Sequence, residues 1–161
     1  MPKKINEVYV SDITYIIVED SFCYLALITD LYSRKIVGND MSESLNMEGS
    51  IRALKMAIKN KGNLRGLIHH SDRGIQYCSN VYTKLLTKKR IKISMSEKGN
   101  PYENAVAERV NGILKEEFML GESFATKEAA YQAVREAIKT YNELRPHMSI
   151  NYLTPNEKYA A

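Results

Sequence analysis

Apolar and polar side chains alternate over residues 8 to 19, a stretch rich in Val, Ile, Thr and Tyr. Residues 22 to 30 and 34 to 43 repeat the pattern, with Glu19-Asp20-Ser21 and Tyr32-Ser33 as turn chemistry between them. Alternation of this kind puts one set of side chains on each face of a strand, so the first third predicts a three-strand antiparallel meander. From Asn46 the period changes. Met47, Ile51, Leu54, Ala57 and Ile58 recur at helical spacing, and Lys61-Gly62-Asn63 ends the run. Leu64 to His70 reads as a short apolar strand, Val81 to Lys89 as a helix and Ile91 to Met95 as a fifth strand. Ser94 to Pro101 is dense in loop formers, with Pro101 placed near the start of the next helix. Long helical patterns cover about 102 to 120 and 126 to 144, separated by Gly121, and Arg145-Pro146 closes the second.

The order β-β-β-α-β-α-β-α-α predicts an α/β fold. Its mixed five-stranded sheet has three antiparallel strands, then parallel strands where helices intervene, with helices on both faces. Sites in such sheets form at the carboxyl ends of parallel strands, and Asp72 falls at one such end.

Composition narrows the classes. At 161 residues, 44% hydrophobic and 26% charged, the chain suits one soluble domain, residues 1–161, with a single core. The longest wholly apolar run, Phe22 to Ile28, falls far short of the ~20 residues of a membrane-spanning helix. With no apolar secretory stretch after Met1, the expectation is a cytoplasmic protein without a membrane partner. Cys23 and Cys78 lack paired spacing and read as two small buried thiols. The net charge of +4 tolerates polyanions without demonstrating that they bind.

Three carboxylates stand out: Asp12 within an alternating strand, Asp72 just past an apolar strand, and Glu108 on the polar side of an amphipathic helix, with thirty-five residues between Asp72 and Glu108. Each sits where the local pattern leaves it unburied. At about 100° per residue, Val106, Val110, Ile113 and Leu114 lie on the opposite side of the helix from Glu108. The Glu108 stripe holds Asn104, Asn111, Gly112 and, two turns on, Lys115. Taken singly, these acids also read as a wet strand edge, a turn residue and a solvated helix face. Brought together, they would suit two hard divalent cations, whose ligands are oxygen atoms.

In this setting the residues resemble the retroviral-integrase-like catalytic core of DDE transposases, and most closely the IS3-group insertion-sequence transposases. The resemblance rests on Asp12-Ile13-Thr14-Tyr15, the Asp30 to Gly38 turn, His70-Ser71-Asp72-Arg73-Gly74 with Gln76-Tyr77, Gly99-Asn100, Asn104-Ala105 and Glu108. Tyr141-Asn142, Arg145-Pro146-His147 and Thr154-Pro155 are similar to the family's closing motif. It implies an RNase H-like fold in which Asp12, Asp72 and Glu108 hold two Mg²⁺ or Mn²⁺ ions, with Asp12 bridging. It further implies strand cleavage and 3′-hydroxyl strand transfer on DNA, at transposon ends and target, by a homo-oligomer assembled there. Lys115 would face transposon-end DNA, with Asn104, Asn111 and Arg73 as further DNA-facing candidates. Tyr9 stands where the family commonly has Trp, Asn39-Asp40 where it has a Gly-Trp-like pair, and Pro101 with Glu103 where it has Cys or Ser with Asp. None of these removes an acid. The chain starts almost at the first strand, so the upstream helix-turn-helix DNA-binding region of such proteins is expected to be absent from it.

Rival residues have plainer readings. Asp30 suits a turn cap beside Ser33 and Arg34. Only one of His69 and His70 can face Asp72, because neighbouring strand residues point to opposite faces. His147 suits a buttress of the C-terminal segment, and Lys84, Lys88, Lys89, Arg90 and Lys92 a solvated face. Two other functions stay open: an RNase H-type nuclease or resolvase without strand transfer, and a non-catalytic nucleic-acid-binding remnant.

Overall fold

The computed structural model describes residues 1–59, 61–97 and 104–161. Five strands form one sheet: β1 (Val8–Val18), β2 (Ser21–Asp30), β3 (Ile36–Ser42), β4 (Ile68–Ser71) and β5 (Lys92–Met95), in the order β3-β2-β1-β4-β5. β1, β2 and β3 pair antiparallel, while β4 runs parallel to β1 and β5 parallel to β4. The mixed sheet is the one that the alternation predicts. The helices are α1 (Met47–Ile58), α2 (Ile75–Cys78), α3 (Asn80–Lys88), α4 (Ala105–Glu116), α5 (Lys127–Leu144) and α6 (Pro155–Ala160), with a 3₁₀ turn at Met148–Ile150. Gly99, Asn100, Pro101 and Glu103, and with them the expected loop and the beginning of its helix, lie outside the described residues.

Because the sheet is covered on both faces, it divides the single core expected from the length into two. On one face α4 and α5 bring Val110, Ile113, Leu114, Val134, Ile138 and Tyr141 against Ile16, Val18, Leu25 and Leu27. On the other, α1 and α3 bring Ala53, Leu54, Ala57, Tyr82 and Leu86 against Tyr9, Ala26 and Ile28. Strand alternation therefore decides which helices each residue of β1 meets.

Several boundaries differ from expectation. β4 begins at Ile68 rather than Leu64, because Leu64 and Leu67 are buried across a turn in which the Leu67 N–H donates to the Leu64 carbonyl and Gly66 adopts a φ of +95°. α4 stops at Glu116: the chain turns there, with Met119 at a φ of 61° and the Gly121 N–H returning to the Lys115 carbonyl. Cys78 is exposed, not buried like Cys23, because it ends the short surface helix α2. Among the described residues no helix is long and apolar enough to cross a membrane.

Candidate active site

Asp12 lies mid-strand in β1, on the same side of the strand as Ile16 and Val18, and so faces α4. It is half-buried, more enclosed than the sequence pattern implies. β1 and β4 run in parallel register, Val10 beside His70 and Ser11 beside Ser71. The next residue of β1 is Asp12 and the first residue past β4 is Asp72, near enough for its charge to act on the Asp12 carboxyl. Asp72 is exposed, and its Oδ1 accepts the Gly74 N–H at 2.8 Å, which shapes the turn into α2. A Cβ at Gly74 would stand 2.8 Å from that same oxygen, so a larger residue there would displace the Asp72 carboxylate.

The third acid arrives on α4. Val110, Ile113 and Leu114 are buried, and Glu108 is exposed on the other side, as the helical spacing predicts. One turn on, Asn111 Nδ2 donates to Asp12 Oδ2 at 2.7 Å and ties α4 to the centre of β1. Asn104 and Asn111 are buried rather than solvated, and their Oδ1 atoms have no hydrogen-bond partner among the described residues.

The electrostatics follow from this crowding. Burial pushes the Asp12 carboxyl up to about 6, and the negative charges of Asp72 and Glu108 add to the shift; the Ile13 N–H and the Asn111 amide oppose it. All three acids thus share one electrostatic neighbourhood. Among the described residues no group of three or more His, Cys, Asp or Glu side chains closes into a metal cage. The donor chemistry nevertheless fits a hard divalent cation. Asp12, Asp72 and Glu108 offer carboxylate oxygens beside the amide of Asn111, and a cation would relieve the repulsion among the three acids.

The other candidates lie around this site or away from it. Lys115 is half-buried near the end of α4, and Arg73 is exposed with its Nε donating to the Ser96 carbonyl at 3.1 Å. Asp30 is fully buried, accepting from the Asn6 N–H and from Ser33 N–H and Oγ, which is turn-capping geometry. His69 lies on the face away from Asp12, where it meets Ser11 and Tyr82, while His70 Nδ1 meets Ser94 Oγ. His147 packs edge-on to Tyr141 beneath the C-terminal turn. Lys84, Lys88, Lys89, Arg90 and Lys92 are all exposed. The direct bond from Asn111 to Asp12 has no signature in the sequence beyond a spacing of three from Glu108. A hollow of about 1050 Å³ between β3 and α5, lined by Asn39, Met56, Tyr131 and Arg135, shares no residue with this site.

Known proteins resemble this chain both in sequence and in fold. A family model described as "Integrase core domain" matches residues 2–101, and a second of the same description matches residues 89–155. The "Insertion element IS600 uncharacterized 31 kDa protein" of Shigella sonnei is 39% identical over 162 residues, covering 98% of this chain and 60% of that protein. The "Transposase for insertion sequence element IS904" of Lactococcus lactis is 38% identical, with 96% and 62% covered. The "Transposase InsF for insertion sequence IS3A" of Escherichia coli K12 is 36% identical, with 94% and 53% covered. The chain thus spans between about half and three fifths of these curated relatives. Among solved structures, the HTLV-2 integrase catalytic core domain in complex with magnesium superposes with a TM-score of 0.78 at 19% identity over 99% of each chain. The BIV integrase catalytic core domain does so at 0.69, with 18% identity and 96% and 94% covered. The fold is accordingly the RNase H-like one of retroviral integrase cores.

Proposed function

This chain belongs to the integrase core domain family, in its IS3-group insertion-sequence branch, and from that premise we propose that it is the catalytic core of a DNA transposase. One observation supports the reading: the end of the β1–β4 ladder leads to Asp12 and Asp72, and the charges of Asp72 and Glu108 and the amide of Asn111 all act on the Asp12 carboxyl. In this proposal residues 1–161 form one catalytic domain. Recognition of the element ends is left to sequence outside it, of the kind that makes the curated relatives longer.

Asp12, Asp72 and Glu108 are the residues that would hold the two Mg²⁺ or Mn²⁺ ions of this proposal. Such ions would supply what phosphodiester chemistry lacks at neutral pH, an activated water or hydroxyl oxygen and a stabilised leaving oxyanion. The chain's own residues do the rest. Asn111 fixes the Asp12 carboxylate in one orientation through its 2.7 Å bond and favours its ionised form. Arg73, next to Asp72 in the chain, and Lys115, two turns beyond Glu108 on α4, are the cations proposed to meet backbone phosphates, which sets the strand's register without reading its sequence. The overall reaction is cleavage of one strand at an element end, then attack of the freed 3′-hydroxyl on a target phosphodiester. We propose that two ends are paired by a homo-oligomer on DNA, and that the protein works in the cytoplasm.

The test incubates an element-end duplex and a target duplex with Mg²⁺ and the chain, alone and joined to the upstream segment of a longer relative. Cleaved and joined strands are expected, and Glu108→Gln and Asp12→Asn should each slow both steps at least about 100-fold. Products ending only in hydrolysis would favour a nuclease or resolvase. Undiminished cleavage by Glu108→Gln would falsify the role given to that side chain.

A further inference from the structure

On the sheet face opposite the acids lies a buried polar cluster that the proposed chemistry does not use. Ser11 and His69 are each 1% exposed and Tyr82 is fully buried. Ser11 Oγ, from β1, and the Tyr82 hydroxyl, from α3, each lie 2.7 Å from the same atom, His69 Nε2. An unprotonated Nε2 has a single in-plane lone pair, so it accepts from one hydroxyl while Ser11 and Tyr82 also hydrogen-bond each other, which closes a three-membered network. The rings of His69 and Tyr82 stand edge to face at 5.3 Å, and Tyr77 closes the cluster at 5.3 Å from Tyr82. A single imidazole of β4 therefore grips one residue of β1 and one of α3.

The position of this grip gives it a consequence. The parallel ladder between β1 and β4 is short, from Val8 beside Ile68 to Ser11 beside Ser71. Ser11 sits in its last pair, one residue before Asp12, and Asp72 is one residue past the end of β4. The end of a short ladder is where strands splay, and a buried hydrogen bond there opposes the splaying. Alternation keeps the imidazole out of the acid face while leaving it bonded beside it. We infer that His69 is a positioning residue: by clamping Ser11 and Tyr82 to β4 it fixes the separation of Asp12 and Asp72, and so tunes the site towards Mg²⁺.

This inference rests on the reading of those two acids as cation ligands. Mg²⁺ demands near-ideal octahedral geometry at about 2.0–2.1 Å, whereas Ca²⁺ accepts flexible coordination at about 2.3–2.6 Å. A loosened separation therefore penalises Mg²⁺ more than Ca²⁺. Loss of a hydrogen bond that supports a metal ligand commonly weakens binding about 10–100-fold.

The test is titration calorimetry of Mg²⁺ and of Ca²⁺ into the whole chain, with thermal melts establishing that each variant is folded. Tyr82→Phe removes one hydroxyl from the clamp at constant shape, His69→Leu removes the acceptor, and His69→Gln retains an acceptor on a side chain of comparable reach. Tyr82→Phe and His69→Leu are expected to weaken Mg²⁺ about 10-fold while Ca²⁺ stays within about 2-fold, and His69→Gln to recover most of the loss. An unchanged Mg²⁺-to-Ca²⁺ ratio in folded Tyr82→Phe overturns the inference, even where His69→Leu does not fold. So does a His69→Gln variant as impaired as His69→Leu. If Asp12→Asn leaves both cations bound as before, the ligand reading itself fails and the clamp has nothing to position.

Discussion

At the scale of single residues, Asp12 is where stability and the proposed function conflict. Folding raises its carboxyl from the ordinary 3.8 to about 6, chiefly by burial, so the native state holds this proton more tightly than the unfolded chain. The stability it contributes is full below about pH 4 and is lost as the pH rises through 6. Each tenfold gain in proton affinity corresponds to about 1.4 kcal/mol, so the loss in metal-free protein reaches on the order of 3 kcal/mol. Asp12→Asn cannot ionise, yet it can still accept the Asn111 amide. Without metal it should therefore melt about 6–12 °C higher than the parent at pH 7.5 and no higher at pH 4, read by calorimetry. Equal melting at both pH values would remove burial as the cause. This conflict is only partly legible in the chain. The alternation of β1 identifies the face of Asp12, but its partial burial comes from α4, and no local pattern states how closely a helix almost a hundred positions away will pack. The polar stripe of α4 misleads for the same reason: Asn111 reads as part of a polar helix face and is buried, since its amide turns onto Asp12.

At the scale of elements, the contact of β3 with α1 depends on Gly38. A Cβ there would meet the Ala53 backbone carbonyl and stand 2.9 Å from the Ala57 Cβ. Neither can yield as a flexible side chain would. Gly38→Ala is expected to cost about 1–3 kcal/mol, as overpacking does, and to lower the urea midpoint with little change in slope. An unaltered midpoint would mean that α1 can lift away from the sheet without loss. The elements themselves differ in how readily the sequence reveals them. Long segments with one sustained period, β1, β2, α1 and α5, are visible because a face repeats often enough to be counted. α2 has four residues and cannot show a period. α6 is readable by another route: Thr154 accepts the Glu157 N–H, Glu157 returns a bond to the Thr154 N–H, and Pro155 occupies the first turn, a capping box written in the residues Thr154-Pro155-Asn156-Glu157. In the sequence Thr154-Pro155 reads only as part of a family motif, with no helix expected after it. Leu64 and Leu67 err the other way, because burial of an apolar pair does not require a strand when a left-handed glycine can fold it back.

For the whole molecule, the two sheet faces carry buried histidines whose titration opposes that of Asp12. Burial depresses His69 to about 4, and burial together with the Arg145 and Arg34 charges does the same for His147. A base depressed on folding stabilises the native state fully above its ordinary value, here 6.5, and that stability is lost as the pH falls towards 4. Between about pH 4 and 6 the two imidazoles bind protons on unfolding while Asp12 releases one. The balance is roughly one proton taken up, which corresponds to a slope of about 1.4 kcal/mol per pH unit. Glu7 and Glu117, lowered by a backbone N–H and by Arg145 respectively, act below their ordinary 4.5 and steepen only the acid end. Stability should thus climb from about pH 4 to about 6.5 and then level off. In Asp12→Asn the opposing proton disappears, and the climb should become about twice as steep. His147→Gln removes one of the two imidazoles and should nearly flatten it. Urea midpoints for the three proteins at half-unit pH steps give the three slopes directly. Should the parent and Asp12→Asn rise in parallel, the carboxyl at the centre of β1 does not titrate in this range and the crowding of charge around it is weaker than the packing of α4 implies.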